Sequence, residues 1–144
     1  SGQSEAQALV AMDPEFVLEN PQTHDKVNQI LHRLAQELSG FGVKLPKNLD
    51  LMGRARWVRE EVSNLRLGLE RVLAELRAAG EKWGNLNEVK RILVNAPEPV
   101  DLRTDIPTLE EFQKLKSALK SGRKARAALA RFFSGSSTSG ESRP

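Results

Sequence analysis

Seven Lys and Arg side chains lie between Gln113 and Phe133, in a stretch that contains no acidic residue. Each could neutralise a phosphate, and each such contact would add to the affinity for an anionic partner and to its salt dependence. The aromatic residues Phe112, Phe132 and Phe133 are spaced like core residues, which argues against a platform for base stacking. We therefore expect any nucleic-acid contact to be made to the backbone. The candidate nucleic-acid-binding residues are Lys114, Lys116, Lys120, Arg123, Lys124, Arg126 and Arg131.

The cations of this segment could also serve the helix itself or a different kind of surface. Cations near a helix C-terminus complement the helix dipole, and Lys and Arg keep an exposed face soluble. A basic amphipathic helix that ends in Phe132 and Phe133 could lie on an anionic membrane or enter the groove of a partner. The helix is short and its apolar face is rich in alanine. We expect only weak membrane binding from this segment alone.

Trp57 is the second candidate for a functional role. It falls off the apolar stripe of its helix, on a face with Gly53, Glu60 and Asn64, where an indole is expected only if something covers it. The cover could be the proline-rich segment 95–107 of the same chain, or it could be a partner. The candidate partner-binding residues are Trp57 and the charged face beside it, Arg54, Arg56 and Arg59.

No set of residues has the spacing of a catalytic centre. The motifs GxSxG, HExxH and CxxC, the P-loop and the EF-hand loop are all missing. Glu60 and Glu61 are neighbours on a helix, where adjacent carboxylates point in different directions and cannot share a proton. The chain has no Cys and only two His, which argues against thiolate or His-rich metal sites. We expect a non-enzymatic protein with no metal and no cofactor.

Trp57 and the arginines beside it belong to a long amphipathic helix predicted from Leu51 to Ala79. Its apolar residues follow steps of four and three over about four heptads. Either this seam packs against shorter helices of its own chain, or it pairs with a second copy or another protein. We favour packing within the chain, since two shorter helices end to end could cover it. The seam residues are Leu51, Ala55, Val58, Val62, Leu65, Leu69, Val72, Leu76 and Ala79.

Shorter helices are predicted on both sides of the long one. Thr23 is expected to cap the first of them, Asn85 with Glu88 the second, and Thr108 with Glu111 the third. Gly80 is expected to end the long helix, and Ser121-Gly122 to interrupt the basic segment. The predicted ranges are 24–38, 86–94, 109–120 and 123–133.

Composition limits the class of protein. Of 144 residues, 39% are hydrophobic but only 5% aromatic, so the core must consist mostly of Leu, Val, Ile and Ala, as in helix bundles. No apolar run approaches the roughly 20 residues of a membrane span, and the N-terminus does not resemble a signal peptide. Together with the absence of Cys, this favours a soluble intracellular protein, cytoplasmic or nuclear.

The expected fold is all-α, a bundle of four to five helices around one long central helix, spanning residues 23–133. Residues 1–22 are expected to form an N-terminal extension. Within it, Ala11–Phe16 resembles a translated cloning site, so residues 1–16 could be vector-derived or a fused peptide. Residues 134–144 have the composition of a disordered tail.

The expected function is protein–protein interaction, in which the bundle docks a peptide or a folded partner as a scaffold or adaptor would. The alternative is electrostatic nucleic-acid binding through the basic segment 113–133. Self-association is possible wherever the long seam stays uncovered.

Overall fold

A computed structural model describes residues 21–141 of the chain, with side chains described for residues 25–135. The described residues form four helices and no strand, which confirms the all-helical class. Residues 1–20 and 142–144 lie outside the described range, and so does most of the predicted N-terminal extension. The helices are α1 (Pro21–Gly40), α2 (Leu51–Trp83), α3 (Asn87–Leu93) and α4 (Leu109–Glu141).

Helix α1 buries an apolar stripe that includes Leu31 and Leu34, and it ends in a hydrogen-bonded turn. The N–H of Val43 donates to the carbonyl of Leu38 at 3.0 Å, and the N–H of Gly42 donates to Ser39 at 3.1 Å. This is the Schellman pattern, which places a left-handed residue directly after the C-cap residue, here Phe41. Gly42 fills that position with φ +97°.

Helix α2 buries every residue of the predicted seam from Leu51 to Leu76, with Ala79 half-buried. The prediction that Gly80 ends this helix was wrong, because α2 continues to Trp83. A Cβ added at Gly80 would lie 3.3 Å from Cδ1 of Leu93, so an alanine here would require the Leu93 side chain to shift by a few tenths of an ångström. A helix tolerates such a glycine at a cost of about 1 kcal/mol relative to alanine.

Helix α3 has seven residues, of which only Val89 is buried. The predicted Asn85 cap was wrong: the N-cap residue is Leu86, and no side chain caps this terminus. Sequence spacing suggested the cap, but the chain forms a turn from Trp83 to Leu86 before the helix begins, with the Leu86 N–H bonded to the Trp83 carbonyl at 3.0 Å.

Helix α4 begins with the predicted capping box. The Thr108 N–H donates to Oε1 of Glu111 at 2.9 Å, and the Glu111 N–H donates to Oγ1 of Thr108 at 3.1 Å. The predicted interruption at Ser121-Gly122 was wrong, since α4 is one helix of 33 residues. A Cβ added at Gly122 would lie 2.8 Å from Cγ1 of Val72, so this glycine permits a close helix contact instead of a break.

The backbone of α4 continues through residues 134–141, the greater part of the segment whose composition predicts a disordered tail. Among residues 21–141, no helix is long and apolar enough to cross a membrane.

The chain divides into two compact units, to which α2 and α4 both contribute. Within the described range, unit 1 comprises residues 21–66 and 101–116, and unit 2 comprises residues 67–100 and 117–141. The buried side chains of unit 1 come from α1, the first part of α2, the segment before α4 and the start of α4. The boundaries of a single bundle domain over 23–133 stay a prediction. The buried cluster of unit 2 is formed by Val72, Leu76, Val89, Ala125 and Leu129.

Candidate functional site

Trp57 is half-buried on α2 in unit 1, beside the buried seam. Because neighbours on a helix are three or four residues apart, Arg54 lies next to Trp57 on one flank of the seam. Arg59 lies on the opposite flank and is also half-buried, whereas Arg56 points away from the seam and is exposed. The four predicted residues therefore do not share one face. We call Trp57 and Arg54 together the Trp57 patch.

Hydrogen bonds fix two of these arginines. Nη1 of Arg54 donates to Oδ1 of Asn28 on α1 at 2.7 Å, a contact between residues 26 positions apart. Nη2 of Arg56 donates to the sulfur of Met52 at 3.0 Å, one helical turn away. Arg54 is thus held by a second helix beside the indole, while the contact of Arg56 stays within its own helix.

The basic segment is less free than its sequence indicates, because acids from other helices pair with it. In unit 1, Nζ of Lys116 lies 2.7 Å from Oε2 of Glu37 on α1. In unit 2, Nη1 of Arg126 lies 3.7 Å from Oε2 of Glu75 on α2. Lys114 lies 4.0 Å from a carboxylate oxygen of Glu110, and both of those side chains are largely exposed. At least three of the seven candidate cations therefore have an acidic neighbour, on another helix for Lys116 and Arg126 and on α4 itself for Lys114.

The Lys116–Glu37 pair is shorter and less exposed than the pairs of Lys114 and Arg126. The hydrogen bond from Lys116 lowers the pKa of Glu37, with a smaller contribution from a hydrogen bond that the side-chain amide of Gln113 donates to the same carboxylate. The two side chains are 22% and 30% exposed, so solvent screens them only in part. This lysine holds α4 to α1 within unit 1 and is poorly placed to bind a phosphate.

Three cations of the segment remain exposed in unit 2 with no ion pair among the described residues. Their spacing of four and seven residues places them along one side of α4. We call Lys120, Lys124 and Arg131 the cationic row. Arg123 is exposed as well, on another face of the helix.

A groove between α3 and α4 in unit 2 was not foreseen from the sequence. Its volume is about 360 Å³, and Lys124 of the cationic row lies on its rim. The signal that could have indicated it is the run of alanines on α4, whose short side chains leave space that larger ones would fill. We call it the α3–α4 groove, and it is lined by Arg91, Ile92, Asn95, Ser121, Lys124, Ala125 and Ala128.

Two further apolar features lie in unit 2. A cavity of about 420 Å³ is lined by α2 residues around Leu76 and Gly80 and by the segment from Leu93 to Pro99. The ring centroids of Trp83 and Phe133 are 5.3 Å apart, and those of Phe133 and Phe132 are 5.2 Å apart. Trp83 is 38% exposed, so it covers this aromatic cluster without being enclosed.

No group of three or more His, Asp or Glu side chains that could hold a metal ion occurs among the described residues. Comparison of the chain with protein-family models, curated proteins and solved structures finds no match. The function is therefore inferred from the surfaces of the chain itself.

Proposed function

We propose that this chain is a non-enzymatic protein-interaction module that docks a peptide or a folded partner through the Trp57 patch. The observation that carries the proposal is the half-buried indole of Trp57 beside an arginine that a second helix holds in place. Because the chain contains no cysteine, we assign this interaction to the cytoplasm or nucleus.

The energetics of interfaces support this choice of residues. Trp and Arg are enriched among the few side chains that supply most of the binding energy at interfaces. Ordering a long side chain on binding costs about 0.5–1.5 kcal/mol. The hydrogen bond from Arg54 to Asn28 at 2.7 Å favours one conformation of this side chain, which lowers that cost.

We also propose that α2 is the spine of the bundle. The support is its seam, which is buried by this single chain from Leu51 to Leu76. A seam that its own chain covers offers little surface to a second copy. Self-association through the heptads is therefore disfavoured, and docking through the flank of α2 is favoured.

The test compares two tryptophan variants as bait. Trp57→Ala and Trp83→Ala each remove one indole, but only the first lies in the Trp57 patch. A partner captured by the wild type and by Trp83→Ala, and bound at least tenfold more weakly by Trp57→Ala in calorimetry, supports the proposal. Equal affinity of Trp57→Ala with unchanged helical circular dichroism removes Trp57 from the site.

A second candidate function is electrostatic binding of nucleic acid through segment 113–133. The exposed cationic row favours it, whereas the ion pairs of Lys116 and Arg126 weigh against it. A duplex oligonucleotide of arbitrary sequence should bind at about 50 mM salt, where counterion release favours association most. Absence of binding under that condition excludes this function.

A further inference from the structure

We propose that the α3–α4 groove of unit 2 binds an acidic amphipathic peptide segment of another protein. An apolar side chain of the segment lies on the groove floor, and flanking carboxylates contact Lys124 and Arg91 on opposite walls. This proposal concerns other residues than the Trp57 patch and stands independently of it.

The floor of the groove is apolar and built from small or half-buried residues. Ala125 is buried, while Ile92 and Ala128 are half-buried, so apolar surface remains open to solvent between the two helices. The volume of about 360 Å³ lies within the range of about 300–1,000 Å³ that is usual for ligand pockets. Covering this surface with an apolar side chain removes it from water and is favourable.

The walls of the groove are cationic. Lys124 is exposed on α4, and Arg91 is exposed on α3. Nη1 of Arg91 lies 3.1 Å from Oε2 of Glu88, but a guanidinium has five N–H donors, so several remain for a second carboxylate. Asn95 and Ser121 add neutral groups that can donate or accept hydrogen bonds along the rim.

The wider charge of unit 2 favours an acidic occupant. Residues 67–100 and 117–141 contain ten Lys and Arg but six Glu and no Asp. Lys120 lies about one helical turn before Lys124 on α4, and Arg131 lies about two turns after it, so the positive charge continues along the helix on both sides of the groove. Complementary potentials of this kind speed association and select against like-charged partners.

A peptide suits the groove better than a nucleic acid does. A phosphate backbone offers no apolar side chain for Ile92, Ala125 and Ala128. The groove is lined by no aromatic ring on which a base could stack. An amphipathic helix presents apolar residues and acids at helical spacing, which is the way helices bind in grooves.

The test uses a synthetic helical peptide of about 15 residues, with Leu at positions i, i+3, i+4 and i+7 and Glu at the exposed positions. Two control peptides replace either every Leu by Ser or every Glu by Gln. Binding to the full chain is measured by calorimetry at about 100 mM salt, where attraction between distant exposed charges is largely screened. We expect the first peptide to bind and both controls to bind at least tenfold more weakly.

Matched protein variants locate the site. Ala128→Leu fills the groove, whereas Ala127→Leu makes the same change on an exposed position outside it. Lys124→Glu reverses a charge on the rim, whereas Arg71→Glu reverses one on an exposed position of α2 in the same unit. We expect about tenfold weaker binding for each groove variant, equivalent to about 1.4 kcal/mol, and less than about twofold change for each control.

Amide shift mapping on the wild-type chain keeps the test independent of how the variants fold. Addition of the peptide should perturb the amides of Asn95, Ser121 and Ala125. Shifts elsewhere, equal affinity for the peptide without Leu, or equal effects of Ala128→Leu and Ala127→Leu would each overturn the proposal. The proposal would also be overturned if an oligonucleotide displaced the peptide and bound the Ala128→Leu variant as tightly as the wild type. That result would mean that charge alone, and not the apolar floor, accounts for binding.

Discussion

Among single side chains, the pair of Glu37 and Lys116 makes stability depend on pH. The pKa of Glu37 is lowered in the folded chain, so its carboxylate stabilises the fold fully at pH values above the ordinary carboxyl pKa of 4.5. This contribution is lost as the pH falls through the lower pKa of the folded state. We expect Glu37→Gln to lower the free energy of unfolding by about 0.5–1 kcal/mol at neutral pH. Near pH 2 the variant and the wild type should be equally stable in urea denaturation followed by circular dichroism.

The control for this prediction is Glu70→Gln on α2. Glu70 is exposed and makes no ion pair among the described residues. Its replacement should change stability by less than about 0.5 kcal/mol at either pH. A difference between Glu37→Gln and the wild type that is the same at both pH values would contradict an electrostatic origin.

The candidate residues themselves show what a sequence can indicate at this scale. The off-seam position of Trp57 follows from helical periodicity. The same periodicity separates Arg54 from Arg59, so the arginines do not form the single charged face that we expected. The ion pairs of Lys116 and Arg126 do not, because Glu37 and Glu75 belong to other helices. Local sequence shows an acid-free segment, but tertiary packing supplies the acids.

Among the elements, the two long helices carry a matched pair of glycines in unit 2. A Cβ at Gly122 would lie 2.8 Å from Cγ1 of Val72, while one at Gly68 would lie 3.9 Å from Cδ2 of Leu119. We expect Gly122→Ala to destabilise the chain by about 1–3 kcal/mol through overpacking. Gly68→Ala should stabilise it by up to about 1 kcal/mol, because alanine favours the helix and the contact is ordinary.

A double-mutant cycle with Val72→Ala separates overpacking from other causes. If the clash with Val72 is responsible, Gly122→Ala should cost less in the Val72→Ala background than in the wild type. Equal costs in both backgrounds would show that the close approach to Val72 is not what makes Gly122 necessary. The measurement is chemical denaturation of all four proteins.

The start of α4 gives a third prediction. Thr108→Ala removes the Oγ1 acceptor of the Glu111 N–H, and we expect a loss of about 1 kcal/mol in the free energy of unfolding. Ser117→Ala, on an exposed interior position of the same helix, should change stability by less than about 0.5 kcal/mol. Similar effects of the two changes in thermal denaturation would argue against a role for the capping box.

At the element scale, the sequence predicts the apolar face of α2 and the start of α4, but it does not predict whether a glycine ends a helix. The seam from Leu51 to Leu76 and the Thr108 capping box could be read from spacing alone, and both are observed. Gly80 and Gly122 look like helix ends because glycine is a poor helix former. Their role depends on which side chain packs against them. Leu93 of α3 packs against Gly80 and Val72 of α2 packs against Gly122, and local sequence does not indicate either contact.

For the whole molecule, the effective charge is smaller than the count of cations in segment 113–133. No more than four of the seven candidate cations lack an acidic neighbour. If an oligonucleotide binds, a plot of log affinity against log salt concentration should therefore have a slope no steeper than about −4. Seven phosphate contacts would give about −6 by the same rule. A slope near −6 would mean that the ion pairs of Lys114, Lys116 and Arg126 all open on binding.

Each compact unit contains a single tryptophan, Trp57 in unit 1 and Trp83 in unit 2, and the chain has no tyrosine. Replacing either indole by Phe therefore leaves one intrinsic fluorophore that reports on one unit alone. The ring of Trp83 packs at 5.3 Å against Phe133 and is 38% exposed, so its emission should shift to longer wavelength when unit 2 unfolds. Two spectra from two Phe variants thus show, without any added dye, whether the units lose their structure together or in sequence.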